Sequence, residues 1–390
     1  VTQAALIILD DARPTALVLG LSWPEFQLRR AVGAGALHLV LVADRVTRDV
    51  VEAVDRLRDD GVSTTLARTK AEVADLFHPD EAVLVMTGGT IVDEGQMQRL
   101  LTAPGPGLLC IDAAHAAAGQ ELIDANSHWI GHVRVDGAQI RAIVPLVGDW
   151  DLGSTLMRQA VAACAARTLL EPDDLLVDAT MATGASRASH ELLSRAFPLP
   201  SGWGERWTVT PLARLAMYAL PALVPRAARL GQSAAAVLLV LGLLAQLRTW
   251  TTLALALYLS ALLVQTAAGA ATRVTRIPMR GERFAAALRD GVGAALLGLI
   301  AVSAMPDSTL LVLSIGVIAV TGLADRLERL VSLGDRYWLA DRAGDAIILC
   351  IASMFGAVGL VIGLSISAAY RLTSLAVLQQ RLSRVLTLTS

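Results

Sequence analysis

Cysteine is scarce in this chain. Cys110, Cys164 and Cys350 are three in 390 residues, at no metal-ligand spacing. They exclude a disulfide framework and a zinc pattern, and they suit a reducing cytoplasmic face. Basic charge is not in excess either: the formal net charge is −2, which gives no argument for a nucleic-acid partner. No N-terminal signal peptide is expected, because the apolar piece Ala4–Leu9 is short and Asp10 and Asp11 follow at once. His38, His78, His115, His128, His132 and His190 are scattered. His128 and His132 would share a face of a regular strand around Trp129, but no cysteine or carboxylate partner accompanies them.

Apolar sequence is abundant. Hydrophobic residues make up 54% of the chain, and the mean hydropathy is +0.56, so a membrane part is expected. The apolar runs lie after residue 230, whereas residues 1–210 carry most of the Asp and Glu in an ordinary soluble mixture. Three regions follow: an α/β domain over 1–165, a linker with an amphipathic helix over 166–230, and a transmembrane domain over 231–390.

In the first region short apolar runs alternate with amphipathic segments. Ala16–Leu21, His38–Ala43, Ser63–Arg68, Ala82–Met86 and Gly107–Asp112 read as strands. Pro24–Ala34, Arg48–Arg58, Ala71–Phe77 and Gln96–Leu101 read as helices. The first sets Phe26, Leu28 and Val32 against polar Arg29 and Arg30; the second places Val50, Val51, Val54 and Leu57 on one face. Such alternation indicates a mostly parallel sheet covered on both sides, whose ligands bind at the carboxyl ends of the strands. After the fourth strand stand Thr87-Gly88-Gly89-Thr90 and then Asp93 and Glu94; glycine and threonine do not replace carboxylates as Mg²⁺ ligands. Asp149 and Asp151 precede a helix; the two readings are an N-cap by Asp151 and metal binding by either aspartate.

In the membrane part, runs at 232–247, 251–271, 290–305, 308–324 and 345–370 are apolar, and the last is long enough to be two joined spans, giving six. Arginines concentrate in the 272–289 loop, the 325–344 loop and the tail. The positive-inside rule puts those segments, and with them both termini, in the cytoplasm of a bacterial-type inner membrane. Glu205–Val224, with Arg206, Trp207, Arg214 and Tyr218, reads as an amphipathic helix at the membrane surface.

Two resemblances follow. PEFQLRRAVGAGALHLVLVAD (Pro24–Asp44), VLVMTGGTIVDEGQMQRLL (Val83–Leu101), WIGHVRVDGAQI and GDWDLGSTLMRQAV resemble segments of the nucleotidyltransferase-like (GT-A type) fold. That family's Gly-rich loop between first strand and first helix is missing, as is its metal-binding aspartate after the fourth strand. The whole chain resembles the inositol-phosphate cytidylyltransferase and CDP-alcohol phosphotransferase fusion proteins, with an all-α six-span membrane domain. The phosphotransferase signature, D-x-x-D-G-x-x-A-R and then G-x-x-x-D-x-x-x-D, supplies four aspartates for two metals. Here Gly269, Arg273 and Gly281 keep the frame, and the aspartate positions hold Gln265, Ala268, Ala285 and Arg289. Asp290 lies one residue late as a possible substitute.

The resemblance therefore implies a catalytically degenerate relative acting as a binding or partner subunit. Its partners would be membrane lipids, a CDP-linked ligand, and a second copy or an active relative. No cofactor is expected, or Mg²⁺ or Mn²⁺ if activity persists. The alternatives are an active phosphotransferase with ligands displaced to Asp290, Asp325 or Asp345, and a lipid-handling or transport protein with a sensory cytoplasmic domain. Arg273, Arg276, Arg280 and Arg283 are the candidates for phosphate binding, against a role in topology alone.

Overall fold

The run Gln3–Leu9, QAALIIL, forms β1, a central strand, in the computed structural model, which describes residues 3–9, 17–116, 120–148, 150–171, 173–180, 183–197, 202–278, 282–304, 316 and 339–389. Contacts divide the chain into two units, Val1–Leu192 with Arg273–Pro278, and Leu193–Thr272 with Met279–Ser390.

In the first unit β1 lies between β2 (His38–Ala43) and β4 (Ala82–Met86), parallel to both, and β2 pairs in parallel with β3 (Ser63–Ala67). The long strand β8 (Ser127–Asp136) runs antiparallel to β4 and to β6 (Gly107–Asp112). The order is β3-β2-β1-β4-β8-β6-β9, with β9 at Ala166–Leu169 and β7 (Glu121–Asp124) paired to β8. A second sheet pairs β5 (Thr90–Val92) with β10 (Leu176–Asp178). Continuous apolar strands fit this arrangement because both faces are covered; Leu6, Val40, Val83 and Val133 are fully buried in one cluster with Leu152 and Leu156. The boundary expected at 165 falls just before β9, which belongs to the main sheet.

The helices are α1 (Trp23–Gly33), α2 (Arg48–Asp59), α3 (Glu94–Thr102), α4 (Gly137–Val147), α5 (Leu152–Ala162) and α6 (Gly184–Ala196). Several expectations need correction. The first strand is not Ala16–Leu21: Val18 and Leu21 close a tight turn through Leu19 and Gly20, both at positive φ. Residues 10–22 thus separate β1 from α1, rather than the strand running almost directly into the helix. The segment WIGHVRVDGAQI is divided between β8 and α4, which opens at Gly137. Lys70–Asp75 is a 3₁₀ turn, shorter than the helix expected at Ala71–Phe77. On α2 the buried face is Val50, Ala53, Val54 and Leu57, while Val51 is exposed. Arg29 and Arg30 are not a solvated face of α1; both are buried in ion pairs.

The second unit is helical. A π-helical turn at Glu205–Val209 leads into α7 (Thr210–Ala219), then α8 (Val224–Leu247), α9 (Thr251–Thr275), α10 (Glu282–Ala304), α11 (Arg342–Ser353) and α12 (Gly356–Thr389). Among the described residues, three helices are long and apolar enough to cross a membrane: Pro221–Leu247, Thr251–Thr275 and Gly356–Val377. That is fewer than six. The run at 290–305 belongs to α10, whose first turns carry Arg289 and Asp290; all but one residue of the run at 308–324 lies outside the described residues. The run at 345–370 divides at Met354–Phe355, and twelve-residue α11 spans only about 18 Å. Glu205–Val224 is likewise not one helix but a π turn, α7 and the 3₁₀ turn Pro221–Leu223. Trp207, Leu212, Leu215 and Leu220 are exposed along it.

Small residues set the helix spacing in this unit. A Cβ at Gly231 of α8 would lie 2.5 Å from the Cβ of Ala268 on α9, and one at Gly242 would lie 3.2 Å from the Ala254 carbonyl. At Gly293 of α10 it would meet the Tyr258 hydroxyl at 2.8 Å. Ala235, Leu239, Ala254, Ala261, Val292 and Leu296 fill the interior between α8, α9 and α10.

Candidate functional site

Two places merit description, one in each unit. In the first unit the carboxyl end of β4 leads into the turn Thr87-Gly88-Gly89, then β5, then Asp93 at the head of α3. The turn is walled by close backbone approaches. Thr87 N–H donates to the Gly131 carbonyl at 2.8 Å. Gly131 has φ +85, and a Cβ there would lie 2.5 Å from the Thr87 carbonyl. A Cβ at Gly153 would meet Thr87 Cγ2 at 2.4 Å, and one at Gly89 would meet Thr180 Cγ2 at 2.2 Å. The hydroxyls of Thr87 and Thr90 are turned to the Gly131 and Ile130 carbonyls, at 3.4 and 2.5 Å. They act as donors inside the fold, whereas Mg²⁺ needs oxygen ligands that face it.

The carboxylates beside this turn have other partners. Asp93 caps α3, accepting from Gly95 N–H at 3.2 Å. Glu94 accepts from Arg30 at 2.8 Å and also pairs with Arg276, while a second Arg30 nitrogen donates to the Val92 carbonyl. Burial lowers the pKa of Arg30, opposed by Glu94 and Asp93. Arg276 is raised, chiefly by its hydrogen bond to Glu94. Asp151 is exposed and caps α5, accepting from Ser154 N–H at 2.6 Å; Asp149 lies outside the described residues.

The histidines are not brought to a common site. Gly131 and an irregular pairing with β6 interrupt β8 between them, so regular-strand alternation does not apply. His128 Nδ1 is 3.1 Å from the Gln120 carbonyl. His132 is buried, with Nδ1 3.1 Å from the Ile130 carbonyl, Nε2 without a hydrogen-bond partner, and its pKa pushed down to about 4 by burial. The Cys110 thiol is pushed up to about 11 by burial and is no nucleophile at neutral pH. Among the described residues no group of three His, Cys, Asp or Glu could hold a metal ion.

In the second unit, Gln265, Ala268 and Gly269 lie in α9, and Arg289 and Asp290 in α10. Ala268 is fully buried, and its close approach to Gly231 leaves no room for a carboxylate. Gln265 Oε1 and Thr272 Oγ1 are buried without hydrogen-bond partners. Asp290 accepts from Arg289 at 3.0 Å and from Arg342 of α11 at 2.7 Å. Its carboxylate is thus held between two guanidinium groups. Arg273 ends α9. Arg280, Gly281 and the side chains of Arg283 and Ala285 lie outside the described residues, as does Asp325.

An alanine, an amide, an arginine and an arginine-bound aspartate do not fit a divalent metal, which requires converging oxygen anions. Asp345 on α11 is buried against Arg371 on α12, with Nε 2.5 Å from Oδ2. Reading runs of hydropathy misses this pair; the signal for it is a charge of opposite sign at each end of the run 345–370.

No protein-family model matches the chain, and no curated protein matches it by sequence. Among solved structures it is similar to a Bacillus anthracis chain named as a glucose-1-phosphate thymidylyltransferase and solved with sucrose. The identity is 11% over 48% of this chain and 94% of that one, with a TM-score of 0.36, and likeness of that degree carries no argument about activity.

Proposed function

We propose that this chain is a non-catalytic membrane subunit of CDP-alcohol phosphotransferase type, with a nucleotidyltransferase-like domain that has also lost its metal chemistry. The observation that carries the reading is the state of Asp290. Among the described side chains it is the carboxylate beside the Gln265–Arg289 frame that could substitute for the missing aspartates, and it is held by Arg289 and Arg342. Ala268 supports the same reading, because its contact with α8 fills the space a ligand would need. In the other unit, Glu94 and Asp151 are engaged by arginines and by a helix N-terminus.

Such a chain would work by binding, either to a lipid or CDP-linked ligand or to a second copy or active relative. Its N-terminal unit and C-terminus would lie on the cytoplasmic side of a bacterial inner membrane. Arginine-rich segments on that side are the basis for this orientation.

The test is calorimetric titration of the purified full chain in detergent with CDP and CTP, each with and without Mg²⁺ or Mn²⁺. Metal should make no difference to nucleotide binding. Micromolar CDP binding that requires metal would overturn the proposal and favour an active phosphotransferase with displaced ligands.

A further inference from the structure

Two turns of the second unit each carry an aromatic residue beside hydroxyl or small residues. The link from α8 to α9 reads Arg248-Thr249-Trp250-Thr251-Thr252, and the link from α11 to α12 reads Ser353-Met354-Phe355-Gly356-Ala357. The fold brings them together: Thr252 Oγ1 and Ser353 Oγ share a hydrogen bond of 2.9 Å. Between the turns opens a cavity of about 490 Å³, a size within the range of small-molecule sites. Four hydroxyl side chains line it, from Thr249, Thr251, Thr252 and Ser353, together with Trp250 and Leu360. Among the described residues no charged one does.

Two backbone features shape the opening. Thr249 has φ +61, a left-handed conformation that a β-branched residue adopts only at a cost. Gly356 has φ +69, and a Cβ built there meets nothing within 4 Å, so the cavity wall at this point borders space. Around the rim Trp250, Met354 and Phe355 are 63%, 76% and 75% exposed. Both turns adjoin helices long and apolar enough to cross a membrane. Aromatic side chains at the ends of such helices sit where hydrocarbon meets headgroups. The opposite end of α9, 25 residues and about 37 Å away, carries Arg273. The cavity is therefore separate from the Gln265–Arg289 frame.

We propose that this cavity binds the uncharged, hydroxyl-bearing head group of a membrane lipid, of the glycosyl class. Thr249 donates to the Arg248 carbonyl, Ser353 to the Cys350 carbonyl and Thr252 to Ser353, so these hydroxyl oxygens meet a ligand as acceptors, to which the hydroxyls of a sugar ring can donate. The Trp250 indole offers a flat apolar surface for the C–H face of that ring, with its N–H as a polar handle. A phosphate would call for arginine or lysine, and the described residues of the lining include neither. The lipid's acyl chains lie along the exposed apolar surface that continues through Ile351, Val358 and Ile362. The inference goes beyond the proposed loss of metal chemistry and rests on that reading only in placing these helices in a membrane.

The experiment is native mass spectrometry of the full chain released from lipid nanodiscs. The discs contain equal amounts of monoglucosyl diacylglycerol, phosphatidylcholine and phosphatidylglycerol with the same acyl chains. The glucosyl lipid should remain bound at least tenfold in excess of the other two. Trp250→Ala should reduce that excess tenfold, and so should Ala357→Phe, which fills the cavity without removing a hydrogen bond. Elution position and helical content confirm that each variant is folded. Equal retention of the three lipids, a preference for phosphatidylglycerol, or an excess unchanged in folded Ala357→Phe would each overturn the site. A chain that stays out of the discs would overturn the membrane placement and the lipid site with it, while leaving the nucleotide titration to decide the metal chemistry separately.

Discussion

Arg342 NH1 lies 2.7 Å from Asp290 Oδ1, joining the first residue of α11 to α10. The pair is part-exposed, with side-chain exposures of 22% and 43%, so solvent screens it. Asp290→Asn and Arg342→Gln should each lower stability by roughly 0.5–1 kcal/mol, and the double variant should lose less than the sum. Thermal melts in detergent, run with and without Mg²⁺, measure this. If Asp290 were a metal ligand, Mg²⁺ would raise the wild-type melting temperature and leave Asp290→Asn unmoved. The expected result is no Mg²⁺ effect on either.

Restoring an aspartate at the signature position should fail for a packing reason. Ala268 is fully buried where α9 touches Gly231 of α8. Ala268→Asp places a carboxylate in a buried contact with no room for it, which should cost several kcal/mol. The yield of monodisperse protein and its melting temperature should both fall, and Mg²⁺ should not rescue them. A stable Ala268→Asp protein that gains Mg²⁺ binding would show the contact to be adaptable.

Glu25 organises a buried ionic network on the first unit's α1. It is fully buried, accepts from Arg29 at 3.0 Å and pairs with Arg56 of α2 at 2.5 Å, while Arg29 also reaches Asp60 at 2.8 Å. Glu25→Gln removes the buried anion that Arg29 and Arg56 share, while Asp60 and Glu52 still pair with them, so the loss should be about 1–3 kcal/mol. Arg48→Gln, at a pair whose arginine is 92% exposed, should change almost nothing. Hydrogen exchange in α1 and α2 separates the two cases, with faster exchange only in Glu25→Gln.

These residues show what is legible in the chain. Strands β2, β4 and β6 can be read from apolar runs, because burial on both faces leaves a direct mark on composition. The choice between Ala4–Leu9 and Ala16–Leu21 cannot be read in that way, since both runs are apolar. The difference is the positive φ at Leu19 and Gly20, which closes the second run into a turn. Arg29 and Arg30 read as a polar face because their partners, Asp60 and Glu94, come from distant segments. In the second unit, Gly356 divides one long apolar run into α11 and α12, a backbone event that hydropathy averages over. That positions 265 and 268 hold no carboxylate is plain in the sequence. The second arginine that holds Asp290 is not, because Arg342 arrives from another helix.

His132 gives the first unit a calculable acid sensitivity. Its folded pKa, pushed down to about 4 by burial, lies below the unfolded value of about 6.5. Between those values the unfolded chain binds a proton that the folded chain refuses, so stability rises with pH across this window and is level above it. In the acid direction, stability is lost as pH falls from about 6.5 towards 4, by up to about 3 kcal/mol from this group. Only Nδ1 has a partner, the Ile130 carbonyl, so the neutral ring is the form that fits, and Nε2 has no anion beside it to receive a charge. The measurement is hydrogen exchange of β8 amides at pH 7.5 and pH 4.5, corrected for intrinsic rates, in wild type and His132→Gln. The wild-type strand should lose protection at pH 4.5, and His132→Gln should lose distinctly less; equal losses in the two proteins would place the acid sensitivity elsewhere.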